Sequence, residues 1–251
     1  MAYRRFLAGL AAAALTTGGA HAACEKRDFA AANYAICVFN PQADDIRLFL
    51  NNADGAPYGD FNTVNTALAP RGERLAFAMN AGMYHKDRTP VGLYVEAGAE
   101  QKQISTRDGP GNFHMLPNGV FWISAEDGAR GAQVRTTQAY LKAAHDGVAY
   151  ATQSGPMLVI DGEVHPRFLP ESDSFKRRNG VGVRADGAVV FAISDEPVRF
   201  YDFARLFRDE LETPNALYLD GTISRLYAPE LSRNDPGLAM GPIVGVVIDG
   251  E

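Results

Sequence analysis

The chain has 251 residues, with 24 lysines and arginines against 30 aspartates and glutamates, for a formal net charge of −6. It holds no basic run and no basic patch interleaved with aromatics, so the electrostatic footprint of a nucleic-acid binder is missing. The acidic balance chiefly serves solubility.

At the N-terminus, Tyr3-Arg4-Arg5 is a short basic segment, Phe6 to Leu15 is apolar, and Ala20-His21-Ala22 is a small-residue cleavage pattern. Together they predict a secretory signal peptide over residues 1–22 and a mature domain over 23–251, periplasmic or secreted. The apolar part is too short to span a bilayer comfortably, so no integral membrane segment is expected after cleavage. Cys24 follows Ala22-Ala23 as in a lipoprotein signal, but His21 stands where such signals normally carry leucine. Without Arg4 and Arg5 the chain keeps 22 basic and 30 acidic side chains, a formal charge of −8. The remaining length suits one β-rich domain. Its two cysteines, Cys24 and Cys37, are expected to pair as a disulfide in an oxidising compartment.

Apolar, β-prone runs predict strands at Tyr34 to Phe39 and Ile46 to Leu50, read as an opening hairpin around the turn-rich Asn40 to Asp44. Further strands are expected at Arg74 to Met79, Val91 to Glu96, Gly119 to Ile123, Val148 to Gln153, Met157 to Ile160, Val181 to Arg184, Ala188 to Ile193, Ala216 to Leu219 and Ile243 to Ile248. Asp161-Gly162 and Asp186-Gly187 signal tight hairpins. Helical spacing of Phe200, Phe203, Ala204, Phe207 and Leu211 predicts a helix capped near Tyr201-Asp202 and ended by Thr213-Pro214. Weaker helices are expected over Phe61 to Leu68 and Gln138 to Ala144. Phe121 and Trp122 read as core. The fold class is α+β, with mixed, strand-rich sheets, a few packed helices and a single domain.

Three apolar runs stop on a polar residue beside glycine: Leu75 to Asn80 before Gly82, Tyr150 to Ser154 before Gly155, and Ala216 to Asp220 before Gly221. Such strand ends deliver polar side chains to the rim of a core. In order along the chain stand Asn80-Ala81-Gly82-Met83-Tyr84, Pro90-Val91-Gly92-Leu93, Gly111-Asn112-Phe113, Gln153-Ser154-Gly155-Pro156, Arg178-Asn179-Gly180-Val181-Gly182 and Leu219-Asp220-Gly221. In this series, over about Leu75 to Ile248, the chain resembles the phosphodiester glycosidase family, which includes the catalytic domain of the lysosomal uncovering enzyme. The resemblance implies hydrolysis of a glycosidic bond, to a GlcNAc-like sugar, whose leaving group is a phosphate. Thr222-Ile223-Ser224 departs from the glycine and serine that most members carry after the aspartate, and His114 is also unusual.

Glycoside hydrolysis ordinarily uses two carboxyl groups flanking the anomeric carbon. Asp220 and Asp195 each follow an apolar strand and are the candidate pair, although both sit in dipeptides that also make turns. A departing phosphate needs its charge stabilised more than it needs a proton. Arg178 is the leading candidate clamp, since a guanidinium can hold two phosphate oxygens, with Arg107 weaker and Lys176 and Arg177 as solvated neighbours. A surface cluster with Glu171 and Asp173 is the alternative.

Asn80, Asn112, Gly82, Tyr84, Ser154, Gly155 and Gly221 are candidate substrate-binding residues, Tyr84 by stacking on a sugar face. Ser154 lacks the Gly-x-Ser-x-Gly context of a serine nucleophile. His85, His114, His145 and His165 are scattered, so neither a zinc site nor a cofactor is expected, while oxygen-ligand sites for calcium or magnesium stay open. The expected partner is a sugar phosphodiester or an envelope glycan. A catalytically inactive glycan-binding module and a glycosidase with alcohol leaving groups are the competing readings.

Overall fold

The computed structural model describes residues 24–126, 128–143 and 147–250. The expected signal peptide and His145 lie outside the described residues. In chain order the strands are β1 (Cys24–Phe29), β2 (Ala32–Phe39), β3 (Asp45–Phe49), β4 (Glu73–Asn80), β5 (Tyr94–Glu96), β6 (Ala99–Lys102), β7 (Gly119–Glu126), β8 (Ala129–Thr136) and β9 (Val148–Ser154). They continue with β10 (Met157–Ile160), β11 (Glu163–Val164), β12 (Asn179–Val183), β13 (Val189–Ser194), β14 (Asn215–Asp220), β15 (Leu226–Ala228), β16 (Arg233–Asn234) and β17 (Ile243–Asp249). The α-helices are α1 (Phe61–Leu68), α2 (Thr137–Lys142) and α3 (Phe200–Arg205).

Alternation of side chains sorts these strands into three sheets around one core. A seven-stranded sheet has the order β1-β2-β13-β12-β14-β10-β11, a second sheet β16-β15-β4-β17-β3, and a third β6-β5-β9-β7-β8. From β14, Leu217 and Leu219 face the shared core; so do Phe77 and Met79 from β4, and Phe121 and Ile123 from β7. The residues between them face outward and each sheet is backed by one helix. Tyr218 and Ala216 pack with Phe203 and Ala204 of α3, Leu75 and Ala78 with Phe61, Val64 and Leu68 of α1, and Val120 and Trp122 with Tyr140 of α2.

The α+β expectation holds with strands dominant. Every strand pairing among the described residues is antiparallel, so the sheets are not mixed. The opening hairpin is also corrected: both predicted strands form, but β2 pairs with β1 and β13, whereas β3 pairs with β17 in another sheet. The Asn40 to Asp44 turn redirects the chain between layers. The real opening hairpin, β1 to β2, turns on Ala30 and Ala31 with φ of 48° and 61°, a left-handed pair carrying none of the usual Asn-Gly signal. The disulfide expected between Cys24 and Cys37 forms across this pair.

Asp161-Gly162 turns β10 into β11, and Asp186-Gly187 lies in the turn from β12 to β13, as expected. The third predicted helix begins as α2 one residue earlier, because the Thr136 hydroxyl accepts from Ala139 N. The clearest predicted helix is α-helical only to Arg205 and continues as a π-helical turn over Leu206–Glu210. Its N-cap is Arg199, not Tyr201-Asp202. Asp202 sits in the first turn, where a carboxylate complements the helix dipole, and pairs with Arg199 at 3.8 Å.

Phe191 of β13 sits where the three sheets meet, with ring centroids 6.0, 5.0 and 5.9 Å from Phe39, Phe77 and Phe121. Phe191→Ala leaves a cavity bordered by all three sheets and is expected to cost about 3–5 kcal/mol in urea unfolding. A loss below about 1 kcal/mol would show that the sheets do not share this core.

Candidate active site

The three polar strand ends converge, one from each sheet. Asn80 closes β4, Ser154 closes β9 and Asp220 closes β14. Asn80 Nδ2 donates to Asp220 Oδ2 at 3.0 Å, and Asn80 Oδ1 accepts from Arg225 N at 2.7 Å. Ser154 Oγ donates to Leu219 O at 2.9 Å, tying β9 to the residue before the aspartate. Thr152 Oγ1 donates to Ala81 O at 2.9 Å and closes the remaining side.

Asn179, the first residue of β12, joins these ends and is not among the residues expected at the site. Its Nδ2 donates to Asn80 O at 2.9 Å, while its Oδ1 accepts from Asp220 N at 2.8 Å and from Ser224 Oγ at 3.3 Å. With no exposure, its amide must be paired on both ends to avoid a desolvation penalty. The available signal was an asparagine opening a strand within Asn179-Gly180.

Asp220 thus stands half-buried at a fixed strand end. Gly221 N donates to its Oδ1 at 2.6 Å, and Asn80 supports Oδ2. Burial pushes its carboxyl up to about 6, against the lowering effect of those two donors. A cleft of about 370 Å³ opens beside it, lined by Tyr84, His85, Asn112, His114, Asp220 and Ile223 together with Met83 and Val91. Tyr84 Oη donates to Ala239 O at 3.3 Å, and burial, with the Asp220 charge adding, pushes its phenol up to about 12.

Of the expected site residues, Asn112 and Tyr84 line this cleft with Asp220, while Asn80 holds the carboxylate from behind. Ser154 is fully buried and turned onto main chain. Gly155 and Gly82 are buried in the support, Gly82 so close to Thr152 that a Cβ would lie 2.8 Å from its Oγ1. Gly221 is needed for close approach, since a Cβ there would stand 2.5 Å from Tyr218 Oη.

Arg178 and Asp195 do not line the cleft. Arg178 is 1 % exposed, donates from Nε to Val198 O at 2.9 Å and from Nη2 to Ser174 O at 3.0 Å, and lies flat over Phe200 at 3.5 Å. Two edges of its fork are therefore occupied by carbonyls, and it does not present a bidentate clamp. It sits instead behind Tyr218, whose buried hydroxyl interacts with both Arg178 and Asn112. Asp195 Oδ1 accepts from Arg233 Nη1 at 2.7 Å, and Arg177 donates to the Asp195 carbonyl at 3.2 Å. The expected pair of cleft carboxylates is thus represented by Asp220 alone among the residues lining this cleft.

Two outcomes test this arrangement. Asn179→Ala strips partners from Asp220 N and Asn80 O and is expected to cost roughly 2–4 kcal/mol in urea unfolding; a neutral effect would show that water replaces the amide. An unfolded aspartate ionises near the ordinary value of 3.8, whereas native Asp220 holds its proton to about 6. Stability relative to Asp220→Asn should therefore fall by up to roughly 3 kcal/mol as pH rises through that window, and be unchanged above it. A pH-independent difference would refute the raised value.

The chain and its fold have counterparts among known proteins. The uncharacterized protein YigE of Escherichia coli (strain K12) is 35% identical over 188 residues, covering 75% of this chain and 71% of that protein. A zebrafish N-acetylglucosamine-1-phosphodiester alpha-N-acetylglucosaminidase catalytic domain, in a form auto-inhibited by its pro-peptide, superposes with a TM-score of 0.62 at 12% identity, over 90% of this chain and 82% of that one. A hypothetical protein from Synechocystis superposes with a TM-score of 0.57 at 13% identity, over 90% of this chain and 61% of that one. These low-identity structures share the fold. Residues 73–247, which contain every strand end described above, match the family model for phosphodiester glycosidase, and the chain belongs to that family.

Proposed function

We propose that the protein is an exported hydrolase that cleaves the bond between the anomeric carbon of a GlcNAc-like sugar and a phosphate oxygen. The observation that carries this reading is the solitary carboxylate: among the described residues that line the cleft, Asp220 is the one acid. A sugar alkoxide is a poor leaving group and calls for a carboxylic acid to protonate it. A phosphate monoester, with a second pKa near about 6, departs without that help. One ionised carboxylate at the anomeric centre, plus donors for the departing oxygen, is then sufficient.

Tyr84, Met83 and Ile223 offer apolar surface to the sugar, Asn112 and His85 offer donors to hydroxyl or phosphate oxygens, and His114 stands beside them. In the net reaction a water oxygen bonds to the anomeric carbon as the carbon–oxygen bond to phosphate breaks. That electron pair stays on the phosphate, and the proton of water passes to Asp220 or to solvent. The paired Cys24 and Cys37 fit an oxidising compartment, in keeping with periplasmic or secreted placement. Arg178 enters this proposal as a support for Tyr218 and Asn112 rather than as a clamp, and Asp195 as an anchor for Arg233.

A second reading has one observation in its favour. Ile223 lines the cleft beside Asp220, and its β-branched bulk narrows the space for a substrate. A module that binds phosphoglycan without cleaving it would tolerate that narrowing.

Purified protein is incubated with a GlcNAc-1-phosphodiester, other sugar-1-phosphodiesters and nitrophenyl glycosides, following sugar release beside binding. The hydrolase reading expects release from phosphodiesters and a fall in kcat/KM of at least about 10³-fold, roughly 4 kcal/mol, in Asp220→Ala with the fold intact. Binding with no release from any substrate would support the module. Preferential turnover of nitrophenyl glycosides would overturn the phosphate leaving group.

A further inference from the structure

We infer that a second cleft, continuous with the first, is the leaving-group side of the site and selects a leaving group bearing an anionic group beyond the scissile phosphate. This inference rests on the hydrolase reading above. The two clefts share His85, Val91, Pro110 and His114 along their common border. The second is the larger, about 590 Å³ against about 370 Å³, and runs from the His85 and His114 border to Lys102 and Arg107.

Its wall is held in place from within the core. Gln153, buried near the end of β9, accepts from Ser105 N at 2.8 Å and from Leu93 N at 3.0 Å, and donates from Nε2 to Ser105 O at 2.7 Å. One carboxamide thus clamps both main-chain groups of Ser105 and fixes the segment that carries Arg107. Gly92 leaves room for this, because a Cβ there would stand 2.2 Å from Gln153 Oε1. His114 Nδ1 donates to Arg107 O at 2.9 Å. A carbonyl can only accept, so that contact fixes the ring tautomer and leaves Nε2 as the atom available to a ligand.

The charge of this wall runs against that of the molecule. In a chain of net charge −6, the second cleft gathers Lys102 and Arg107 against Asp108, the single carboxylate among the described residues that line it. Lys102 and Arg107 are exposed, with no ion pair among the described residues. A neutral alcohol attached to the scissile phosphate would leave both cations unused. A leaving group carrying a further phosphate or carboxylate would engage them, an attraction between exposed charges that salt screens.

The test compares two substrates sharing one sugar: GlcNAc-1-phosphate esterified to methanol, and GlcNAc-1-phosphate esterified to glycerol 3-phosphate. The expected result is a KM at least tenfold lower for the glycerol phosphate ester, with that ratio collapsing toward one in the Lys102→Ala/Arg107→Ala double variant and weakening at high salt. Calorimetric titration with glycerol 1,3-bisphosphate reads the subsite without turnover, and its affinity should drop at least tenfold in the same variant. Loss of bisphosphate binding in the variant of a protein that cleaves neither ester would uphold the subsite while removing the hydrolase reading. Equal KM values with bisphosphate binding absent or unchanged in the variant would overturn the subsite even where both esters are cleaved.

Discussion

One buried carboxamide holds the architecture and the chemistry to the same point. Asn179 bonds the main chain of Asp220 within its own sheet and the main chain of Asn80 in the neighbouring one, with no solvent to substitute for either. An unpaired group there would bear the full cost of desolvation, so the two sheets can pack at that edge only in the register that brings both partners to Asn179. That register also presents the carboxylate of Asp220 to the cleft. Stability and the placement of that carboxylate therefore draw on the same hydrogen bonds.

Asp220, which ends β14, and Asp195, which follows β13 on the far side of β12, show how environment divides one side chain into two settings. Asp195 is half-buried beside Arg233, and its carboxylate is committed to an ion pair. Asp220 has no such partner. It is supported by an amide and a backbone N–H, and burial holds its proton to about 6. The same side chain is thus perturbed by burial at one strand end and held by a facing cation at the other.

Behind the cleft lies a second tier of residues that do not line it. Phe168 stacks on Phe200, Phe200 carries the Arg178 guanidinium on its face, and Arg178 reaches Tyr218, which lies beneath Gly221. This aromatic and cationic stack is built from α3 and the segment before β12, and it connects the helix backing the sheet to the floor of the site. His114 and Ile223 lie on the other side, in the wall of the cleft itself. The support and the wall of the cleft are carried by different elements.

Much was legible in the chain itself. Apolar alternation located most strands, Asp161-Gly162 and Asp186-Gly187 located their turns, and the polar ends at Asn80, Ser154 and Asp220 marked the strands that would matter. β1 and β8 escaped because edge strands with polar faces carry little hydrophobic signal, and β1 turns on alanines. Pairing of β2 with β13, and of β3 with β17, joins residues far apart along the chain, which no local pattern encodes. The choice between Arg178 and Asn179 was likewise beyond sequence, because successive residues at a strand start point to opposite sides and only the packed sheets decide which side holds the cleft. Side-chain period is a local property and determined which residues could be inside; convergence of three strand ends is a property of packing, and the tertiary structure alone decided it.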